Sequence, residues 1–395
     1  MELRYSGRLL YSSTFDEKTG SIVRVVERAT DRYNDVTSNL PKDEAFEQKY
    51  FRAKSMGLHT VFSPVPELLD ISITDKCAMA CSYCYQDSTP DKAHAPKELV
   101  ETVLKGFDQP PYQIAIGGGE PTLHPDLPYI LRKSRELGTV PNYTTAGDKL
   151  STRVVEATNE FCGGVAMTFH AFKGMGWFVE HYNRLRDRLR VQVNVHLIAD
   201  KDVAKNLTAL VDQHKNIGPL NLVLLAYYPD VGRASLDSLI TKHVYMKYLP
   251  EAIKAAQSTG HKIAFSEGLL PYFLSRPQLG VNTDFAMRSE GIFACYINPK
   301  GQMTQSSFKV PWSRDGEEPE TVYTHTSQEL WGKLSSWNGT PHGESCYGCD
   351  HESRCSTPHD FHYLLCDFAA HNKLPLTEIP TKPKTVYEHL LEGEE

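Results

Sequence analysis

Between residues 66 and 265 the chain alternates short β-rich runs with stretches of helical period, about six times over. LLDISIT, YQIAIGGG, VPNYTTAG, GGVAMTF, VQVNVHLIA and LNLVLLAYY read as strands. PKELVETVLKGF, opened by Pro96, LPYILRKSREL, STRVVEATNEF with Ser151 as its cap, WFVEHYNRLRDRL and VAKNLTALVDQH read as helices, as does a long stretch around SLITKHVYMKYLPEAIKAAQSTG. Strands separated by helices pair in parallel, because each crossover returns the chain to the same edge with a right-handed turn. Six such units suit an open partial barrel or a doubly wound sheet, and both gather ligands at the C-terminal ends of their strands.

The flanks are different in character. Residues 1–65 read as a small region with two strands, LRYSGRLLYSS and SIVRVVER, joined by the turn DEKTG, then a helix, DEAFEQKYFRAKSM. After about Gly280 the alternation stops. IFACYINPKGQMTQSSF reads as a hairpin turning at PKG, and residues 376–395 as a proline- and charge-rich tail. A net charge of −7 argues against a nucleic-acid partner. No apolar run is long enough for a membrane span, and no signal-peptide core opens the chain, so a cytoplasmic protein is expected. In that compartment nine cysteines read as metal ligands or catalytic groups rather than disulfides.

Three of them, Cys77, Cys81 and Cys84, lie just past the first strand of the alternating region, at its ligand-binding edge. Thiolates suit zinc, copper(I) or iron–sulfur clusters. Structural zinc normally wants a fourth protein ligand close by, and no fourth cysteine follows nearby. Three thiolates on a four-iron cluster leave one metal position open to a small molecule.

The spacing CxxxCxxC, with Tyr83 before the last cysteine, resembles the signature loop of radical S-adenosylmethionine (radical SAM) enzymes. The resemblance implies a [4Fe–4S] cluster on Cys77, Cys81 and Cys84, with S-adenosylmethionine on the open iron and Tyr83 near its adenine. It extends along the later strands. Gly118, Gly119 and Glu120 match the run that binds the methionyl amine at the end of strand two. Thr145 stands in the third-strand motif, with a departure at Ala146. Thr168 matches the hydroxyl residue that reaches the cofactor carboxylate, and Asn194 is expected to face the ribose. His196 shares a strand face with Asn194, and Glu267 and Tyr227 are candidate acid–base groups at the mouth. The ending YYPDVGRA is similar to one frequent in the peptide-modifying branch.

Cys346-x2-Cys349-x5-Cys355, with Cys366 beyond, resembles the SPASM and twitch extensions that hold auxiliary clusters in this family. Composition alone would favour a zinc knuckle here. The ligand positions of one auxiliary cluster are lost: Ser306 follows Gly301, and His359 stands at the later position. The resemblance therefore implies one auxiliary [4Fe–4S] cluster on Cys346, Cys349, Cys355 and Cys366, with Cys295 left over; Cys295 in place of Cys366 is the rival set. Cys162 reads as a buried apolar residue.

Together these give an α/β fold: a partial (β/α)6 TIM-type barrel over 66–285, a small β-rich region over 1–65, and a cluster-bearing domain over 286–375. The implied activity is hydrogen abstraction by a 5′-deoxyadenosyl radical, leading to oxidative modification or crosslinking of a ribosomally made peptide. A flavodoxin- or ferredoxin-type donor would supply the electron. The alternatives are the same chemistry on a small metabolite, and a zinc-stabilised binding protein without redox activity.

Overall fold

The computed structural model describes residues 2–6, 9–18, 21–28, 63, 65–229, 231–241, 243–283, 289–309, 311 and 318–336. Three strands, β1 (Glu2–Ser6), β2 (Leu9–Asp16) and β3 (Ser21–Arg28), form an antiparallel sheet of their own. The run LRYSGRLLYSS, expected as one strand, contributes to two, β1 and β2, which pair antiparallel. The helix expected over DEAFEQKYFRAKSM lies outside the described residues. This sheet meets the rest of the chain through Ser13, whose hydroxyl is 2.8 Å from Tyr112 Oη, through Phe15 stacked on Tyr112, and through an Arg135–Glu17 ion pair.

The alternating region folds as expected. β4 (Leu68–Ser72), β5 (Gln113–Gly117), β6 (Val140–Thr145), β7 (Gly164–Thr168), β8 (Gln192–Ala199) and β9 (Asn221–Ala226) pair in parallel, each with the next in the chain. Between them run α1 (Leu99–Lys105), α2 (Leu127–Glu136), α3 (Thr152–Phe161), α4 (Met175–Arg188) and α5 (Val203–Asp212). Ser151 caps α3 by accepting from Val154 N, as its position predicts. The helical stretch after β9 is shorter than expected: α6 spans only Leu249–Ser258. Pro250 lacks the N–H and crowds the preceding turn, and Val244–Tyr248 widens into a π-turn just before it.

A seventh parallel strand, β10 (Lys262–Phe265), then adds to β9. It is four residues long and half exposed, too short to show a period in the sequence. The expected hairpin forms from β11 (Ala294–Ile297) and β12 (Met303–Thr304), with Gly301 at φ 80° in its turn. Its first strand pairs in parallel with β4, so the hairpin extends the barrel sheet across the 285/286 division. The order is β10-β9-β8-β7-β6-β5-β4-β11-β12, an open, partial barrel among the described residues. Helix α7 (Ser327–Ser336) then packs on α1, with Trp331 fully buried and its indole N–H donating to Ser63 O.

Strand periodicity divides the molecule into two faces. Val193, Val195, Leu197 and Ala199 of β8 are buried against the helices, while Gln192, Asn194, His196 and Ile198 turn to the barrel interior. By the same alternation Leu69 and Ile71 of β4 pack outward, and Asp70 and Ser72 turn inward. The apolar core therefore lies between sheet and helices. The interior carries polar groups and opens at the strand ends.

Candidate active site

Cys77, Cys81 and Cys84 stand where β4 ends, on the loop leading to α1, all half-buried and without disulfides. Two of the sulfurs accept backbone hydrogens: Met79 N donates to Cys77 Sγ and Ser88 N to Cys84 Sγ, both at 3.4 Å. Burial pushes the Cys77 thiol up, and it pushes Cys81 up to about 11, with the neighbouring Cys77 and Cys84 adding to the effect. Bound cations would reverse this, because they hold thiols in the ionised form. Among the described residues, no three Cys, His, Asp or Glu side chains converge as they would on a single metal ion.

The loop is anchored from the far side of the barrel. Arg233 reaches it with Nε donating to Cys81 O at 3.0 Å, and with its two terminal nitrogens on Asp87 Oδ1 at 2.7 Å and Ser88 O at 3.1 Å. Its own amide donates to Cys84 O. Gly232, at φ 59°, lies so close to this loop that a Cβ there would meet the Cys84 and Tyr85 carbonyl oxygens at 2.4 Å. The VGRA part of YYPDVGRA is thus a clamp on the cysteine loop. Replacing Arg233 with Met keeps the stem but removes the guanidinium. Charged hydrogen bonds are worth roughly 1.5–3 kcal/mol each, and the exposed Asp87 pair far less. Amide exchange over residues 81–88 should accelerate at least tenfold in Arg233→Met, while exchange in β5–β8 stays as it was.

The GGGE run sits beside that loop. Gly118 is at φ 125°, and a Cβ on it would lie 2.2 Å from Thr74 O; one on Gly119 would lie 2.2 Å from Lys76 O. Gly119 N donates to Thr74 O and Glu120 N to Lys76 O, so the run is laced to the start of the cysteine loop. Glu120 is buried, and its carboxylate accepts from Thr122 N, Thr122 Oγ1, Thr145 Oγ1 and Ala146 N at 2.6–3.1 Å. Burial holds this carboxyl above the usual range, against those four donors. Gly118, Gly119, Glu120 and Thr145 are therefore brought together, and Tyr83 stands on the loop next to them.

Thr168 ends β7, half-buried, with no hydrogen bond from its hydroxyl among the described residues. Asn194 is the third of eight residues in β8, and its Oδ1 accepts from Gln192 at 2.6 Å. No hydrogen bond joins it to the cysteine loop among the described residues. His196 faces Thr168 across the β7–β8 pairing, and burial lowers its pKa to about 4. Tyr227 is a core residue whose hydroxyl donates to Ser235 O. Cys162 is buried at the end of α3, and Cys295 is buried in the same apolar core as Leu69, its partner in register. Cys346, Cys349, Cys355 and Cys366 lie outside the described residues.

Two parts of the site escaped the sequence reading. Asp70, inside the barrel on β4, has its carboxyl raised to about 7 by burial, with the charge of Glu267 adding to it. Glu267 itself accepts from the Ser289 amide and hydroxyl. Beside them Phe308 stacks on Tyr228 and packs against Tyr85, closing one side of the mouth with aromatic rings. A carboxyl raised on folding stabilises the fold below its unfolded pKa near 4, and that contribution is lost as pH rises through about 7. Asp70→Asn should remove this slope. Its melting temperature should match the parent near pH 4 and exceed it at pH 8, by the equivalent of on the order of 2–4 kcal/mol.

Residues 71–207 match the Radical SAM superfamily. This chain carries a radical SAM domain. The matched stretch runs from β4 into α5 and includes the three-cysteine loop and the GGGE run. A PqqA peptide cyclase of Ruegeria pomeroyi is 32% identical over 100 residues, 24% of this chain and 26% of that protein. A probable GTP 3',8-cyclase of Methanococcus aeolicus is 38% identical over 72 residues, 18% of this chain and 24% of that protein. The chain thus spans about a quarter of the length of the curated relatives it matches. Over nearly the whole chain the radical SAM domain is set in a fold like that of Streptococcus suis SuiB bound to its precursor peptide SuiA. The TM-score is 0.62 at 13% identity, covering 90% of this chain and 94% of SuiB.

Proposed function

We propose that this chain is a radical SAM oxidoreductase that modifies a ribosomally made peptide. The observation that carries the reading is the cysteine loop laced by Gly119 and Glu120 to the end of the neighbouring strand, at the open end of the barrel. Cys77, Cys81 and Cys84 hold a [4Fe–4S] cluster. Three thiolates on one short loop suit such a cluster with one iron left open, whereas a structural zinc site is ordinarily closed by four protein ligands. When bound, the cluster and S-adenosylmethionine supply a 5′-deoxyadenosyl radical by one-electron cleavage of the sulfonium.

The chain's own residues bind, orient and seclude. Glu120 and the backbone at Gly118 and Gly119 receive the methionyl amine, a role that suits a buried carboxylate beside a glycine backbone. Thr168 offers its hydroxyl to the cofactor carboxylate, Thr145 holds Glu120 in place, and Tyr83 flanks the adenine. Asn194 is assigned to the ribose, which requires it to exchange its bond with Gln192 for one to the ligand. Phe308, Tyr228 and Tyr85 keep water from the mouth, where a free radical would otherwise be quenched.

Residues 286–375 form the auxiliary domain, which starts as two strands of the barrel's own sheet. Within it Cys346, Cys349, Cys355 and Cys366 would hold a second [4Fe–4S] cluster, which would supply a one-electron acceptor for the substrate radical left by hydrogen abstraction. A flavodoxin- or ferredoxin-type protein reduces the first cluster. Free thiols on this scale suit the cytoplasm; no helix among the described residues is long and apolar enough to cross a membrane.

The peptide substrate is supported by the PqqA peptide cyclase relative and by the SuiB–SuiA likeness. A small-molecule substrate is the second reading, favoured by the GTP 3',8-cyclase relative. Anaerobic co-expression with a candidate short precursor peptide, read by mass spectrometry, separates them. The peptide reading expects a loss of two hydrogens; an unchanged peptide mass would turn the account to a metabolite.

A further inference from the structure

The sulfur of Cys81 is placed unlike those of its two neighbours. Cys77 and Cys84 accept backbone amides, whereas Cys81 Sγ lies 3.6 Å from His170 Nδ1. The same nitrogen is 2.9 Å from Tyr83 Oη, and the Tyr83 hydroxyl acts to lower the Cys81 thiol pKa, against the burial that raises it. His170 follows β7 and is only 6% exposed. Phe172 and Trp177 pack around its ring, at centroid distances of 5.5 and 6.5 Å.

A sulfur bound to iron carries no proton, so it can only accept. The contact then requires a donor, either the imidazole Nδ1–H or the Tyr83 hydroxyl. We propose that His170 and Tyr83 are positioning residues that hydrogen-bond the Cys81 sulfur and set the reduction potential of the cluster on this loop. This rests on the cluster assignment made above.

The direction follows from electrostatics. Reduction adds one electron, whose charge spreads onto the cluster sulfurs. A donor aimed at a sulfur stabilises the reduced form more than the oxidised one and raises the potential. The electron comes from an external reductant, no bond is made or broken, and no proton moves. Of the three ligands, Cys81 alone has a side-chain nitrogen within hydrogen-bond reach of its sulfur among the described residues, so it is where substitution can tune the cluster without disturbing backbone.

The test is a potentiometric titration of the reconstituted full chain with dithionite. It is read by electron paramagnetic resonance on the signal that S-adenosylmethionine perturbs. In His170→Leu the midpoint should move negative, so that at the parent midpoint the reduced-to-oxidised ratio falls about tenfold, a shift of about 59 mV. Tyr83→Phe should shift it in the same direction by less, and His170→Gln, which keeps an N–H donor, should restore most of the difference. Parent-like midpoints in both His170→Leu and Tyr83→Phe, with iron content unchanged, would overturn the inference and leave the cluster assignment standing. Should His170→Leu fail to retain iron, the Tyr83→Phe midpoint decides. If the parent chain itself takes up no iron, the cluster assignment falls and takes this inference with it.

Discussion

Replacing Cys81 with alanine should remove about four irons per chain and reduce S-adenosylmethionine cleavage to background. Cys81 is the middle ligand of the loop, with its carbonyl held by Arg233 and its sulfur met by His170, which Tyr83 contacts in turn. Two remaining thiolates cannot hold a cubane. The barrel itself should survive, because Cys81 lies outside the apolar core that joins sheet to helices. Iron analysis and product chromatography on anaerobically reconstituted protein check this. Cys162→Ala is the control: that thiol is buried behind α3, far along the chain, and its loss should leave the iron count unchanged. Full iron in Cys81→Ala would contradict the ligand assignment.

The second large effect belongs to the glycines. Ile116 is followed by three, and they are not equivalent. A Cβ on Gly117 meets nothing within 4 Å. On Gly118 it would lie 2.2 Å from Thr74 O, at a φ of 125° that side chains rarely adopt. On Gly119 it would lie 2.2 Å from Lys76 O. Both obstacles are backbone, so no rotamer change relieves them. Strain and overpacking together should cost about 2–6 kcal/mol at Gly118. Gly118→Ala and Gly119→Ala should therefore displace the cysteine loop and lose both cluster and cofactor binding. Gly117→Ala should fold and retain its iron. Equal behaviour of the three variants, by melting temperature and iron content, would contradict the geometry.

The same contrast shows what a sequence makes legible. The parallel barrel could be read because each strand and helix carries its own period, and the thiol spacing because its three residues fall on one short loop. The glycine run was legible as a ligand platform, yet its second reason, the approach of Thr74 and Lys76 backbone, needs the fold. Arg233 and Cys81 are 152 positions apart, and nothing local marks an arginine as a clamp. His170 reads as the end of a strand until the barrel brings it to Cys81. Asp70 sits within an apolar run, and only the inward turn of β4 makes it a barrel-interior acid. Short elements failed for a different reason: β10, of four residues, and β1, of five, are too brief to show a period.

The central claim is that this loop presents one under-liganded iron to a sulfonium. It is tested most directly by reconstituting the full chain with iron and sulfide, adding dithionite and S-adenosylmethionine under anaerobic conditions, and measuring 5′-deoxyadenosine. The account predicts its release together with methionine in equal amounts, dependent on reductant and absent in Cys81→Ala. Iron-loaded, reduced protein that yields no 5′-deoxyadenosine would contradict it.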